Sequence, residues 1–157
     1  FLALLYSYIL YRDTVTLFNR YVDSMGNTMW FPHVLTNVNL VIDRAVIVSK
    51  YGEESNDNAV LNIKYKCENE KIFINDKEYL MPKEWERQPN DLLIDFLTFK
   101  SGNEFDFFIL GDYGSNEIIM DERGTFFREV QEQYDNVFAV TSVAKLSVIP
   151  HFEIVGK

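Results

Sequence analysis

The sequence predicts a mainly β fold, a small β-barrel or sandwich of about seven to nine short antiparallel strands with one or two short helices. Three observations predict it. β-Branched and aromatic residues alternate with polar ones in several short segments, turn residues separate these segments, and few segments have helical spacing. The chain has 157 residues, and this length favours a single domain over 1–157 with one core.

The first half of the chain contains the clearest strand patterns. TVTLFNRY, at residues 14–21, alternates as a half-buried strand does. Pro32 favours an edge or a strand start, because proline has no N–H for a sheet interior. VLTNVNLVIDRAVIVS, at residues 34–49, predicts a strand that is interrupted near Asp43 and Arg44. The acidic segment YGEESNDN that follows predicts a solvated loop.

The second half adds hairpins and two helical segments. Residues 59–66 alternate, and Asn75–Asp76 provides a turn between two further strands. A short helix is expected around Trp85. Strands at residues 92–100 and 105–110, joined by SGN, predict a hairpin. Apolar residues three and four apart within FFREVQEQY predict a helix, and strands are expected at residues 137–143 and 151–155.

Composition limits the partners that the chain can bind. The formal charge is -9, and the basic residues do not cluster in sequence, which predicts no specific binding to nucleic acid phosphates. A single cysteine, Cys67, cannot form an internal disulfide, so synthesis in the cytoplasm is expected. The opening FLALLYSYILY is too short for a membrane-spanning helix, which needs roughly 20 residues. Residues 1–12 are therefore expected to be an apolar arm that packs on the core or binds a partner.

The sequence contains no recognisable catalytic or metal-binding motif. A nucleophile needs an adjacent base, and the available groups are Cys67, His33 and His151, without a nucleophile elbow around any serine. The histidines and the cysteine form no close pair of zinc ligands, and no glycine-rich phosphate loop occurs. We therefore expect no enzymatic activity, no metal and no cofactor. A hydrolase that uses Cys67 or a histidine stays as an alternative.

Three stretches of the sequence resemble a known family. They are DTVTLFNRY with MWFPHVLTNVNL downstream, the central YLMPKEWER, and the closing YDNVFAVTSVAKLSVIPHFEIVGK. Together they resemble the head-to-tail connector (neck, stopper-like) and minor capsid proteins encoded by long-tailed bacteriophages and prophages of Gram-positive bacteria. The apolar start and an insertion at about 114–124 depart from that pattern, so that both a stopper and a tail-side adaptor fit.

The resemblance implies a structural subunit of the virion. Such a subunit is a small β-barrel that forms an oligomeric ring between the portal and the tail, although the isolated chain can be a monomer. Its partners would be portal or adaptor proteins and tail proteins. It would reside in the bacterial host cytoplasm during assembly and then in the virion. The alternative from the aromatic content is a β-module that binds carbohydrate or peptide.

Aromatic groups dominate interface energetics, and they supply the candidate contact residues, for which core packing is the alternative: Trp30, Trp85, Phe107, Phe108, Pro150, His151 and Phe152. In FDFF, Phe105, Phe107 and Phe108 cannot all share one face of a regular strand, so one of them is expected at a bulge or against a neighbouring subunit. The acidic residues Glu53, Glu54 and Asp57 are expected to face a channel, where they would repel DNA phosphates.

Overall fold

The computed structural model describes residues 10–43, 46–49, 52–55 and 58–157, and within residues 44–57 it describes the backbone alone. The mainly β prediction is confirmed. Thirteen strands and two short helices occur in this part of the chain. In chain order they are β1 (Asp13–Val22), β2 (Thr28–Asp43), β3 (Val46–Ser49), β4 (Gly52–Ser55), β5 (Asn58–Lys64), β6 (Lys66–Glu68), β7 (Lys71–Ile74), β8 (Lys77–Tyr79), α1 (Pro82–Glu86), a 3-10 turn (Leu93–Asp95), β9 (Phe96–Leu97), β10 (Phe107–Leu110), β11 (Ile119–Asp121), α2 (Phe126–Gln133), β12 (Val137–Leu146) and β13 (His151–Gly156).

Six strands form an antiparallel barrel in the order β1-β10-β12-β13-β5-β2, and β2 closes it by pairing with β1. The long strand β2 pairs with β1 through its first part and with β5 through its last part. Strand β11, from the predicted insertion, adds to the start of β2. Pro32 lies within β2 opposite Phe18, and not at a strand start. β11 and β5 pair with the edge of β2 that faces away from β1. Between these two pairings that edge has no strand partner among the described residues, and a proline such as Pro32 is tolerated at an open edge.

A second sheet, in the order β6-β7-β8-β9, lies against the barrel. The predicted Asn75–Asp76 turn joins β7 and β8, and both residues have positive φ, 48° and 65°, as a type I′ hairpin turn requires. Tyr79 packs against the barrel cluster, and Ile74 and Leu97 are buried within it. The second sheet therefore shares the hydrophobic core of the barrel.

Residues 52–55 of the segment predicted as a solvated acidic loop form a strand, so the prediction was wrong for these residues. β3 and β4 pair in the same register as β2 and β5. Asn39 lies opposite Asn62 in the pair β2–β5, and Ser49 lies opposite Gly52 in the pair β3–β4. We call the paired strands Val46–Ser49 and Gly52–Ser55 the ribbon. Within the described residues the ribbon pairs with no other strand. Continued cross-strand pairing overrides the loop-like composition of Gly52–Ser55.

The predicted hairpin over residues 92–110 was also wrong. β9 pairs in parallel with β8, whereas β10 pairs with β1 and β12. The connecting segment is held by the carboxylate of Asp106, which accepts a hydrogen bond from Lys100 N at 2.7 Å, and by Asp106 N, which donates to Lys100 O at 2.9 Å. These bonds occupy backbone groups that a simple hairpin ladder would have used, and they direct β10 into the barrel.

Three hydrophobic clusters stabilise the fold. The barrel interior contains Leu17, Leu61, Phe108 and Ile154, all with no exposed surface. A second cluster lies under α2, and a third lies around Trp85 on α1. Both helices occur where the sequence predicts them. Because α1 and α2 cover parts of the outer wall, some barrel strands are buried on both faces.

Residues 1–9 of the predicted apolar arm lie outside the described residues. The two positions that follow lie over the outside of β2 and β5. Asn39 Nδ2 donates a hydrogen bond to Leu10 O at 3.0 Å, and Lys64 Nζ lies 4.4 Å from the centroid of the Tyr11 ring. The chain therefore lies against the outer wall of the barrel just before β1 begins.

Candidate partner-binding surfaces

Five of the seven predicted contact residues lie in the core: Trp30, Trp85, Phe107, Phe108 and Phe152, each at most 3% exposed. The indole of Trp30 donates to Asp121 Oδ2 at 3.1 Å, and that of Trp85 donates to Phe96 O at 3.2 Å. Buried tryptophans need such partners for their N–H groups. These five side chains do not reach the surface of the chain, and we withdraw them as contact residues in favour of core packing.

The FDFF segment illustrates why these aromatics are buried. Phe107 belongs to the cluster under α2 and stacks on Phe18 with ring centroids 4.6 Å apart. Phe108 points to the opposite face, into the barrel interior, as the alternation of a strand requires. Phe105 precedes the strand and meets Phe127 of α2 at 5.0 Å. Phe105 and Phe107 therefore pack in the cluster under α2, and Phe108 packs in the barrel interior.

The turn between β12 and β13 exposes a group of apolar side chains. Val148 is 97% exposed and Ile149 is 70% exposed, and with Leu146 and the exposed Pro150 they form what we call the apolar tip. His151 follows it, half-buried, and its Nδ1 donates to Ile149 O at 2.7 Å. The sequence predicted Pro150 and His151 as contact residues but not Val148 and Ile149. Two adjacent apolar residues in a turn were the available signal.

The ribbon and the apolar tip lie at opposite ends of the barrel. Leu40, Leu61, Ile154 and Val143 form a row across four neighbouring strands. From this row, β2 and β5 continue in one direction to the ribbon. In the other direction, β12 and β13 continue to the apolar tip. Of these two hairpins, one therefore lies at each end of the barrel.

A groove of about 720 Å³ lies between the second sheet and β12. Its apolar base includes Tyr79, Phe99 and Phe152, whose ring centroids lie 4.7–5.5 Å apart. Burial raises the pKa of the Tyr79 hydroxyl. The charged residues of the groove are three carboxylates and two lysines: Glu70, Glu78, Glu84, Lys71 and Lys145. The groove thus combines an aromatic base with a slightly acidic rim.

One wall of the groove is an open sheet edge. β12 pairs with β13 along its length, but it pairs with β10 only at residues 137–139. Over residues 141–146 the second edge of β12 meets no strand in the described part of the chain. Val143 and Lys145, which alternate along this edge, line the groove. An open edge is a template for an added strand.

A buried polar cluster lies around Asp106. The carboxylate has no exposed surface and accepts hydrogen bonds from Asn19 Nδ2, Arg20 N and Lys100 N at 2.7–2.9 Å. Lys100 Nζ, which donates to Arg20 O, lies 3.9 Å from the carboxylate. Burial raises the pKa of Asp106 to about 7, against the lowering effect of Lys100 and the three donors. The cluster fastens β1 to the segment before β10.

A second buried pair joins the barrel to the second sheet. Lys77 Nζ donates to His33 Nδ1 at 2.8 Å and to Ile94 O at 3.3 Å. Burial, and secondly the charge of Lys77, lowers the pKa of His33 to about 3, so the imidazole is neutral at physiological pH. Its Nε2 is buried and has no hydrogen-bond partner among the described residues.

Two of the groups considered for chemistry lie in different surroundings. Cys67 is exposed on β6, whereas His33 is buried and bonded to Lys77. Among the described residues, no group of three or more His, Cys, Asp or Glu side chains could hold a metal ion. Of the helices in the same residues, none has the length and apolar character needed to span a membrane.

The predicted channel-facing acidic residues fall in and beside the ribbon. Glu53 and Glu54 are part of β4, opposite Val48 and Ile47 of β3, while Asp57 lies outside the described residues. The backbone thus places two of the three acidic residues on the hairpin at one end of the barrel.

Together the fold and its surfaces define an antiparallel β-barrel protein with a projecting hairpin at each end and a groove along one open edge. Residues 10–157 match the family DUF6751, described as a family of unknown function, and the chain belongs to that family. No curated protein and no solved structure matches the chain.

Proposed function

We propose that the chain is a non-enzymatic structural subunit of the neck of a long-tailed bacteriophage or prophage, which forms a ring between the portal and the tail. The observation that carries the proposal is the pair of hairpins at opposite ends of one barrel. A connector must bind a different protein at each end, and it needs a rigid body between them. The sequence resemblance and this arrangement point in the same direction.

The apolar tip supports contact with a protein partner at one end. Val148 and Ile149 are mostly exposed, and they lie beside Leu146 and Pro150. Contiguous exposed apolar residues are typical of protein interaction sites. In this proposal the tip docks into an apolar pocket of a portal, adaptor or tail protein, and that contact covers it.

The ribbon supports a role at the other end. A two-stranded hairpin is marginally stable by itself in water, so a ribbon without further strand neighbours gains from assembly. Its β4 strand contains Glu53 and Glu54. In the assembled ring the end of the barrel that carries these residues would face the channel, where negative charge repels DNA phosphates and lets the genome slide.

The experiment is electron microscopy of the chain mixed with purified portal rings and, separately, with purified tail tubes from the same phage. The expected result is a ring of additional density on at least one of the two assemblies. Absence of binding to both would refute the proposal. Replacing Glu53 and Glu54 with Lys is expected to slow DNA ejection, and unchanged ejection would remove the channel role.

A peptide-binding module is the second candidate, because the groove offers an aromatic base beside an open sheet edge. A carbohydrate site is less well supported, since Phe99 and Phe152 are 3% and 1% exposed and offer no open ring face for a sugar. Binding of foreign extended peptides by the monomer, without any binding to portal or tail, would favour this alternative.

A further inference from the structure

We propose that the groove along the open edge of β12 receives β3 of the ribbon from a second copy of this chain, so that adjacent subunits in the ring are joined by strand addition. This inference rests on the proposed ring function and identifies the contact between neighbours. It uses two backbone edges that lack a partner in the described residues, the second edge of β12 and the outer edge of β3.

The receiving side has the features that strand addition needs. Residues 141–146 of β12 present an open edge of about 20 Å, at ~3.3 Å per residue. Along it, the apolar base of Tyr79, Phe99 and Phe152 lies within the same groove. Main-chain hydrogen bonds to the edge would provide affinity, and the groove would accept alternate side chains.

The incoming strand has a matching sequence. Val46, Ile47 and Val48 are consecutive apolar residues, and a run without polar alternation is typical of a strand covered on both faces. β4 covers one edge of β3 and leaves the other for a partner.

The placement of the two sites is compatible with a ring. The ribbon extends from the end of β2 and β5, whereas the receiving edge belongs to β12 on the other side of β13. The two surfaces are different patches of one molecule, so the contact is head-to-tail, and such contacts generate rings when the rotation closes. Each ribbon strand has four residues, which corresponds to about 13 Å of extended chain that can pair with a neighbour.

Site-directed disulfide cross-linking tests the contact. The background is Cys67→Ser, because Cys67 is exposed. One protein then carries Ser49→Cys on β3, and a second, differently tagged protein carries Ser142→Cys on the open edge, where Ser142 is exposed. The matched control replaces Ser142→Cys with Ser101→Cys, which is exposed in the loop before β10. Each mixture is oxidised under mild conditions, alone and with portal rings.

The expected result is a mixed disulfide dimer from Ser49→Cys and Ser142→Cys, at least ten-fold more abundant than from the control pair. A chain that carries both cysteines is expected to form a ladder that ends at the ring size. The inference would be overturned if Ser49→Cys and Ser142→Cys formed no mixed dimer, or no more of it than the control pair. Electron microscopy of the same samples separates the two proposals. Rings on the portal without the cross-link would refute only the β3 contact. Absence of binding to both portal and tail would refute the ring function as well.

Discussion

The barrel interior and the two hairpins that project from it differ in what covers their apolar residues. Inside the barrel, Leu17, Leu61, Phe108 and Ile154 have no exposed surface, and buried polar groups such as Asp106 have hydrogen-bond partners. At the apolar tip, Val148 is 97% exposed. We propose on this basis that the interior determines stability and that the hairpins determine what the protein binds.

The largest stability loss is expected from a cavity in the barrel interior. Phe108→Ala removes a ring with no exposed surface, and such changes lower the free energy of unfolding by about 3–5 kcal/mol. Urea denaturation measures this loss. Phe108→Leu is the control and is expected to lose less, because it keeps most of the volume. A loss below about 1 kcal/mol in the free energy of unfolding of Phe108→Ala would show that the interior does not determine stability.

The polar cluster of the interior is the second target. In Asp106→Asn one acceptor oxygen replaces two, while three N–H groups still point at the side chain. We expect a loss of about 2–4 kcal/mol in the free energy of unfolding. Asp91→Asn, at an exposed position, is the control and is expected to change little. An Asp106→Asn protein as stable as wild type would show that the cluster is not structural.

The same variant has a predicted pH dependence. Burial raises the pKa of Asp106 from 3.8 to about 7 in the folded protein, so the folded state holds this proton more tightly than the unfolded state. The stabilisation is complete below pH 3.8 and is lost as the pH rises through 7. The stability difference between wild type and Asp106→Asn is therefore expected to shrink from pH 4 to pH 7.5. A difference that grows over this range would contradict the assignment.

Close packing inside the barrel predicts a smaller effect at Gly156. A Cβ at this position would lie 2.8 Å from Phe138 Cβ and 2.9 Å from Phe108 Cζ. Gly156→Ala is expected to lower the free energy of unfolding by about 1–3 kcal/mol. Combining it with Phe108→Leu frees space, so the double variant should lose less than the sum of the single variants. Additive losses would show that the two sites do not touch.

The smallest effect at neutral pH is expected at His33. Burial lowers its pKa from 6.5 to about 3, so the stability that it contributes is complete above pH 6.5 and is lost as the pH falls toward 3. His33→Asn keeps an acceptor for Lys77 and cannot titrate in this range. Acid unfolding curves are expected to show a smaller loss between pH 6.5 and 4 for the variant. Identical curves would show that His33 titrates normally.

Alternation along the chain predicted most of the strands and the β class, because the pattern is local. β1, β12 and β13 occur close to their predicted bounds. Pairing between distant segments was not predictable in the same way, and the supposed hairpin at 92–110 is divided between two sheets by the hydrogen bonds of Asp106. A local pattern does not contain that information.

The surfaces were harder to predict than the fold. An aromatic residue suits a core as well as an interface, and Trp30 and Trp85 are in the core because Asp121 and the Phe96 carbonyl accept their indole N–H groups. Conversely, Val148 and Ile149 look like strand residues until the turn places them in solvent. Exposure depends on tertiary structure, so the sequence suggested Pro150 and left Val148 and Ile149 unassigned, although two adjacent apolar residues in a turn were a signal.

The most direct test of this division of labour measures stability and portal binding on one variant, Val148→Ser with Ile149→Ser. Val41→Ser, at a position that is 53% exposed on β2, is the matched control. We predict that the tip variant keeps its free energy of unfolding within about 0.5 kcal/mol and binds portal or tail assemblies at least ten-fold more weakly than wild type does, while the control behaves as wild type. A tip variant that unfolds more easily, or that binds as well as wild type, would contradict the account.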